Sequence, residues 1–558
     1  MKAPTQLTPI NPSMAPAKVS KSKQVFSAVL LILSLSSVVA TVNNGHAHDL
    51  MFVKGHSAAP GNAAIEAVAE EIQLEKRAPS RPLIGQMASI RQRLGTKSPY
   101  PHEDRPTGHL RDTPKGYELA QVHVVCRHGT RYPGDDDSGE LKELAKKLSN
   151  TTVPGFNWIR KWSTDAWYPP LKGDLLAARG DSDLYEIGRR FAKRYESFLD
   201  LHPYDANTFE FRSSSKTRSS QSASAFSLGF FKDHFVGEPS RLKKNSRLRA
   251  PPAQPVGVYT IPEGQDQEMA VKYSCSVWKE KVDDHPQVLL QAQLYEESFL
   301  PALAKSLSTI LGADMTADDA SLIYKMCGFE VSLYDDVSTW CQLLLQTENG
   351  GQRKGNGKDE LVLDNFLKFE VLGDLEDYYT YGLGVPFNGF LGCKFGTSLL
   401  DSVELALTND ITAEGDGEEF FRGHFKFGHS ESIMFISSFL GLYGQNGTAL
   451  TADMTAEQLA KREFRSSLFA QFASNIAFEV FRAKKSSSSE PVGLIRLLVN
   501  EKPVLIPGCN TMLCEWSDFK RIITEAGAGC DFESCCGSPS AALPTNATCL
   551  STSPIFKQ

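Results

Sequence analysis

The apolar positions of this chain change their period along its length. "YELAQVHVV", Tyr117 to Val125, alternates and then runs continuously apolar, as a strand buried on both faces does. It ends at the corner Arg127-His128-Gly129-Thr130-Arg131. "NTFEFRS" predicts a short strand over 208–212, followed by small and then apolar residues at helical spacing. Arg422 to Phe427 reads as a third strand. Glu431 to Leu442 reads as a helix with Ile433, Ile436 and Leu440 on one face. Strands at about 119–126, 208–212 and 422–427, each leading through a turn to a helix, predict an α/β fold with a mostly parallel sheet.

The remaining pattern fills in around these strands. Residues 140–200 look mostly helical, with a Trp/Pro-rich interruption near Trp158 to Pro170. Residues 240–260 read as a loop and then a strand. Long helical patterns run from Gln287 to about Leu345, and "TENGGQRKGNGKDE" reads as a flexible connection. Helical patterns resume to about Asp401. This stretch, mainly about 260–400, is expected to cap a core of about 116–235 and 402–540. "IAFEVFRAKKSSSSEPVGLIRLLVNEKPVLIP" predicts a hairpin with four serines at its tip. Residues 78–115, rich in Arg, Pro and Gly, predict an extended surface arm before a domain at 116–540; 541–558 form a tail. "GDDD", Gly134 to Asp137, reads as a loop without a role. No internal repeat occurs.

The N-terminus bears on the compartment. No acidic residue precedes Asp49, and Lys18, Lys21 and Lys23 precede an apolar run from Val25 to Ala40. Small residues follow, so 1–47 reads as a secretory signal peptide. The alternative is an uncleaved signal anchor, for which the run is slightly short. Lys76-Arg77 reads as a dibasic processing site closing a pro-peptide at 48–77, or as a chance surface pair. Eleven cysteines, six of them after residue 508, fit an oxidising compartment. An odd count leaves at least one thiol free or paired with another chain. Asn150, Asn446 and Asn546 each open an Asn-x-Thr sequon. The expected location is the secretory pathway or beyond it: medium, wall or vacuole.

Composition adds little. Hydrophobic and charged fractions of 41% and 22% are those of a globular protein with a sizeable core. A net charge of −7 argues against a nucleic-acid partner but leaves a small anionic ligand open.

The candidate chemistry follows from placement, because ligands of such sheets bind beyond the carboxyl ends of the strands. Arg127, His128 and Arg131 follow the first strand. Arg218, with Lys216 and Arg212 nearby, opens the helix after the second. His429 and Glu431 sit where the third strand becomes a helix. Arginine forks bind phosphoryl oxygens bidentately, and helix N-termini add oriented N–H groups. A histidine among arginines is held neutral and nucleophilic, and a carboxylic acid across the pocket can protonate a leaving oxygen. The arginines supply the positive charge, so the reading calls for no metal and no cofactor. Each cluster also has a purely structural reading: a solvated strand end, a surface arginine, a helix N-cap with a first-turn acid. Three clusters at three equivalent positions favour function. The basic run Arg241 to Arg249 reads as an exposed loop or a substrate arm.

"RHGTRYP", Arg127 to Pro133, matches the Arg-His-Gly-x-Arg-x-Pro signature and so resembles the histidine acid phosphatases. "PKGYELAQVHVVCRHG" and "FRSSSKTRSSQSASAFSLGFF" resemble the same family, with Arg218 at its second phosphate-binding arginine. "GHSES" resembles its distal motif. Most members carry His-Asp there; the multiple inositol polyphosphate phosphatase branch carries His-Ala-Glu, and His429-Ser430-Glu431 is nearer the second form. The likeness spans roughly 114–540.

It implies a histidine-phosphatase-like sheet with a helical cap, a phosphohistidine on His128, and Glu431 as proton donor. Arg127, Arg131, Arg218 and His429 would bind the phosphoryl group, with Lys216 and Arg212 as candidate substrate contacts. "GCNTMLC" resembles a C-terminal disulfide of fungal phytases, implying a Cys509–Cys514 bond. Cys126, inside the buried strand, is the candidate free thiol. The implied activity is phosphomonoester hydrolysis, on inositol polyphosphates such as phytate. The alternatives are a broad acid phosphomonoesterase, an inactive phosphate-ligand binding protein on this fold, and a phosphoglycerate-mutase-like transferase. The expected partner is a small phosphomonoester, with no nucleic acid and no stable membrane association unless the signal is an anchor.

Overall fold

The structure, a computed structural model, describes residues 87, 89–101, 112–151, 156–163, 173–234, 254–283, 285–346, 364–408, 420–444, 447–484 and 491–537. The expected signal, the Lys76-Arg77 pair, the basic run 241–249, the 347–360 connection, the serine tip, the tail, Asn446, Asn546 and Cys549 lie outside the described residues.

Among the described residues eight strands form one sheet: β1 (Tyr117–Arg127), β2 (Phe209–Ser214), β3 (Tyr259–Ile261), β4 (Gly423–Gly428), β5 (Asn475–Ala483), β6 (Gly493–Val499), β7 (Lys502–Val504) and β8 (Cys514–Glu515). Their order is β3-β2-β4-β1-β5-β6-β7, with β8 also on β6. The last eight residues of β1 are buried, because β1 is central and covered on both faces. Val122, Val124 and Cys126 face a cluster with Phe211, Phe425 and Phe427 of the neighbouring strands. Over them lie α2 (Ala178–Arg194) and α3 (Thr217–Phe230), through Leu184, Ile187, Phe226 and Phe230. Val125 faces the opposite cluster, with Ile476, Phe478 and Ile495.

The α/β class holds, but the sheet is mixed rather than mostly parallel. β3, β2, β4 and β1 are parallel to one another. The β5–β6 hairpin then joins β1 antiparallel and carries β7 and β8 with it. A short hairpin return can only make antiparallel pairs, whereas the parallel pairs require helical crossovers. Among the described residues between β3 and β4 the main elements are helices: α4 (Pro286–Leu311), α5 (Ala317–Tyr334), α6 (Trp340–Gln346), α7 (Asp364–Thr380) and α8 (Cys393–Thr408). After β4 comes α9 (Ser430–Phe439).

Two further expectations are corrected. Residues 89–100 are not a surface arm: Ile90, Leu94 and Tyr100 are buried in the core. Tyr100 donates to Glu501 at 2.8 Å and accepts from Asn475 Nδ2 at 3.0 Å. Three spaced apolar anchors suffice to dock a segment without periodicity. "GDDD" is not a loop either. Gly134 is the N-cap of α1 (Asp135–Leu148), and the three aspartates fill its first turn, where the helix dipole favours them. Asp137 accepts from the Gly134 N–H at 3.0 Å and pairs with Lys325 of α5 at 3.0 Å.

The Cys509–Cys514 bond is present, and Cys126 is a buried free thiol. Cys275–Cys536 and Cys393–Cys530 tie the inserted helical region to the C-terminal segment, and Cys327–Cys341 joins α5 to α6.

Candidate active site

The parallel register brings the three clusters together. Arg127 of β1 is level with Gly428 of β4, and Ser213 of β2 with Phe427 of β4. The residues that follow these strands therefore share one edge. The His128 N–H donates to the Gly428 carbonyl at 3.0 Å, binding the first corner to the third strand. Beneath that corner, a Cβ added at Gly180 of α2 would sit 2.3 Å from the Thr130 carbonyl oxygen. Only glycine permits this approach of the helix to the loop.

His128 is buried. Its Nδ1 lies 2.8 Å from its neighbour's carbonyl, Gly129 O. A carbonyl only accepts, so Nδ1 carries the proton and Nε2 of the neutral ring holds a lone pair. Burial first, then Arg127, Arg218, His429 and Arg131, hold His128 well below the ordinary imidazole value. The ring therefore stays neutral in acid.

Arg127 is fixed by donating to the carbonyls of Thr96 and Ala470, the latter at 2.8 Å, and by lying 4.5 Å over the Phe472 ring. Burial and then Arg131 lower its guanidinium to about 9. Arg131 pairs with Asp174 at 3.0 Å, and Arg218 lies 3.7 Å from the same carboxylate oxygen. Nε of Arg127 and Nε of Arg218 are buried without a hydrogen-bond partner among the described residues. Buried donors of this kind ordinarily find a partner, and an anion in the pocket would supply one.

His429 is the N-cap of α9, with Nε2 3.0 Å from Ser214 Oγ at the end of β2. Burial lowers it to about 4, with Arg218, Lys272 and Arg127 adding to the fall and Glu431 opposing it. Its ring meets that of His128 edge to face, 5.6 Å between centroids. Burial works against ionisation of Glu431. Lys272 and His429 nevertheless hold its carboxyl far below the usual range, the Lys272 Nζ standing 2.7 Å from Oε1.

The remaining sequence candidates are placed apart. Lys216, the N-cap of α3, pairs with Glu263 at 2.7 Å at the rim of the cluster. Arg212 is not brought in: it pairs with Glu210 at 2.6 Å on the sheet face beside His424. A strand residue two positions before the edge is held back by the acid next to it. Lys272, Asp174, Ser214 and Lys97 were not legible. Ser214 is one serine among several in the Arg218 segment; the other three are single polar residues without a motif, delivered from elsewhere in the chain.

Residues 118–500 match the family model described as "Histidine phosphatase superfamily (branch 2)". This chain belongs to that family. Among its relatives is a multiple inositol polyphosphate phosphatase from Gallus gallus, 25% identical, with 75% of this chain and 84% of that protein covered. Phytase A of Aspergillus terreus is 25% identical, covering 76% and 86%. A thiamine-repressible acid phosphatase of Schizosaccharomyces pombe is likewise 25% identical, covering 77% and 86%. The fold is that of the crystal structure of the D. castellii phytase: TM-score 0.61 and 18% identity over 82% of this chain and 89% of that one. By family, the chain is a histidine acid phosphatase.

Proposed function

We propose that this chain hydrolyses phosphomonoesters through a phosphohistidine on His128, with inositol polyphosphates as its preferred substrates. The observation that carries the reading is the Nδ1–H bond from His128 to Gly129 O. It aims an unprotonated Nε2 away from the backbone, among arginines. Nε2 attacks phosphorus, and the ester P–O bond breaks with its electron pair passing to the leaving oxygen. Arg127, Arg131, Arg218 and His429 hold the phosphoryl oxygens, whose charge is spread in the transition state. Glu431, when protonated, gives its proton to the leaving oxygen. As a carboxylate it then takes one from the water that splits the N–P bond.

The substrate preference is supported by cations beyond those one phosphate needs. Lys97 is within electrostatic reach of Arg127 and Arg131, Lys272 pairs with Glu431, and Lys216 lies beside Tyr273 at the rim. Relatives named phytase and multiple inositol polyphosphate phosphatase support it too. A broad acid phosphomonoesterase is the second reading, favoured by the relatives named acid phosphatase.

Comparing inositol hexakisphosphate with an aryl phosphate separates the two readings. Turnover of the hexakisphosphate with the higher kcat/KM is expected; failure to release phosphate from it rules out the first reading. His128→Ala should release phosphate from neither substrate, and retained turnover would sink the mechanism.

We also propose export to an oxidising compartment. Four disulfides among the described residues support it, and Asn150, a sequon residue, is exposed after α1. N-terminal sequencing and deglycosylation of material recovered from the medium test this.

A further inference from the structure

Glu431 faces a difficulty as a proton donor. In the free protein its carboxylate is paired with Lys272 at 2.7 Å, and Ser430 Oγ donates to its other oxygen at 3.2 Å. Around it stand Arg127, Arg218 and His429 from the phosphate pocket. Tyr381, just past the end of α7, also lies near it. The cations favour the carboxylate and outweigh its burial. A donor held as its own conjugate base protonates a leaving oxygen only in strong acid.

The position of Lys272 offers a way out. It lies on the helical turn Val271–Ser274, held by the Cys275–Cys536 disulfide and by Ser432 Oγ donating to the Met269 carbonyl at 2.6 Å. These bonds hold the backbone, while the four-carbon stem of a lysine keeps several rotatable bonds. The Lys272 ammonium lies 5.1 Å from the centroid of the half-exposed Tyr273 ring, and the Lys216 ammonium lies 5.7 Å from the same ring. Two ammoniums, each already paired with a glutamate, therefore meet at one exposed aromatic at the rim. A dianionic phosphate there would compete for both.

We propose that Lys272 is a positioning residue with two partners. It holds Glu431 in the free protein, and with Lys216 it holds a second phosphate of a polyphosphorylated substrate in the complex. Its departure lets Glu431 take a proton from solvent and deliver it to the leaving oxygen. The inference rests on the phosphohistidine reading and adds a substrate-triggered step to it. Atoms balance. Glu431 gains one proton from solvent on substrate binding, passes it to the leaving oxygen, and recovers one from the hydrolytic water. It returns that proton to solvent when Lys272 re-pairs.

The test uses the full chain, its Lys272→Met and Lys272→Arg variants, inositol hexakisphosphate and an aryl monophosphate, each over a range of pH. In Lys272→Met, kcat/KM for the hexakisphosphate should fall about 10- to 100-fold, the worth of a hydrogen bond to a charged group. With the aryl monophosphate the basic limb of the pH profile should move up by about one to three units, because removing the cation raises the Glu431 carboxyl. Lys272→Arg should keep most of the hexakisphosphate rate. Equal losses on both substrates, or an unmoved limb, overturn the proposal. Wild-type protein active only on the aryl phosphate overturns it while leaving the phosphohistidine reading intact; activity on neither overturns both.

Discussion

Nε2 of His429 lies 3.0 Å from Ser214 Oγ, so a strand end two hundred residues earlier in the chain sets the orientation of the distal histidine. Ser214 and Ser219 are themselves 3.0 Å apart, which fixes the serine in turn. Ser214→Ala should lower kcat about fivefold, the worth of one ordinary hydrogen bond, with KM for an aryl phosphate little changed. Steady-state kinetics of the variant check this; a wild-type kcat would show that the bond does not orient the ring.

Asp174 occupies the place of an anion between Arg131 and Arg218. A phosphoryl group held by these arginines, as proposed, would compete with it. Asp174→Asn is expected to tighten inhibition by inorganic phosphate by up to about fivefold, the range of a half-exposed ion pair. Competition kinetics give the answer, and weaker inhibition would contradict the prediction.

The contact between Gly180 and the corner loop leaves no room for a methyl group. Gly180→Ala should cost about 1–3 kcal/mol of stability or more and displace Thr130 from its place beside His128. Thermal melting and kcat, measured together, should both fall.

Below the site, Arg462 pairs with Glu370 at 3.0 Å and with Asp374 at 2.6 Å, all three side chains fully buried. Removing the cation strands two carboxylates. Arg462→Met should lose about 3–5 kcal/mol at neutral pH. Burial already raises Asp374 to about 6, with Glu370 adding and Arg462 opposing. A raised carboxyl binds its proton more tightly when folded, so its contribution is present at low pH and lost as pH rises through 6. The variant's deficit should therefore shrink below pH 6. Denaturant midpoints measured across pH 4 to 8 test the slope.

His128 should remain nucleophilic well into the acid range, since burial and four cationic or imidazole neighbours keep it neutral. The acid limb of kcat/KM for an aryl phosphate should thus fall well below pH 6.5. A limb at the ordinary imidazole value would mean that the arginines do not act on this ring.

Much of this was legible because it is local. The apolar run of β1 ends where its pattern ends, and each of the three edge clusters follows directly from a strand. Arg127, His128, Arg131, Arg218, His429 and Glu431 could be named before any packing was known. What misled was also local. "GDDD" has loop composition, yet three aspartates are favourable in a helix's first turn, and Lys325 from a helix far along the chain engages one of them. Residues 89–100 lack a period, yet Ile90, Leu94 and Tyr100 find cavities that only the folded core creates. Arg212 lies near the edge in sequence, but Glu210 holds it on the sheet face.

The sequence by itself determined the class of fold, the strand ends and the candidate nucleophile, because backbone periodicity and a five-residue corner are short-range properties. Tertiary structure alone decided which isolated charges complete the site. Lys272 reaches Glu431, Asp174 bridges two arginines and the Thr96 carbonyl holds Arg127, each across a long chain separation. A single charged side chain has no pattern of its own; only packing gives it a partner, and the partner gives it a role.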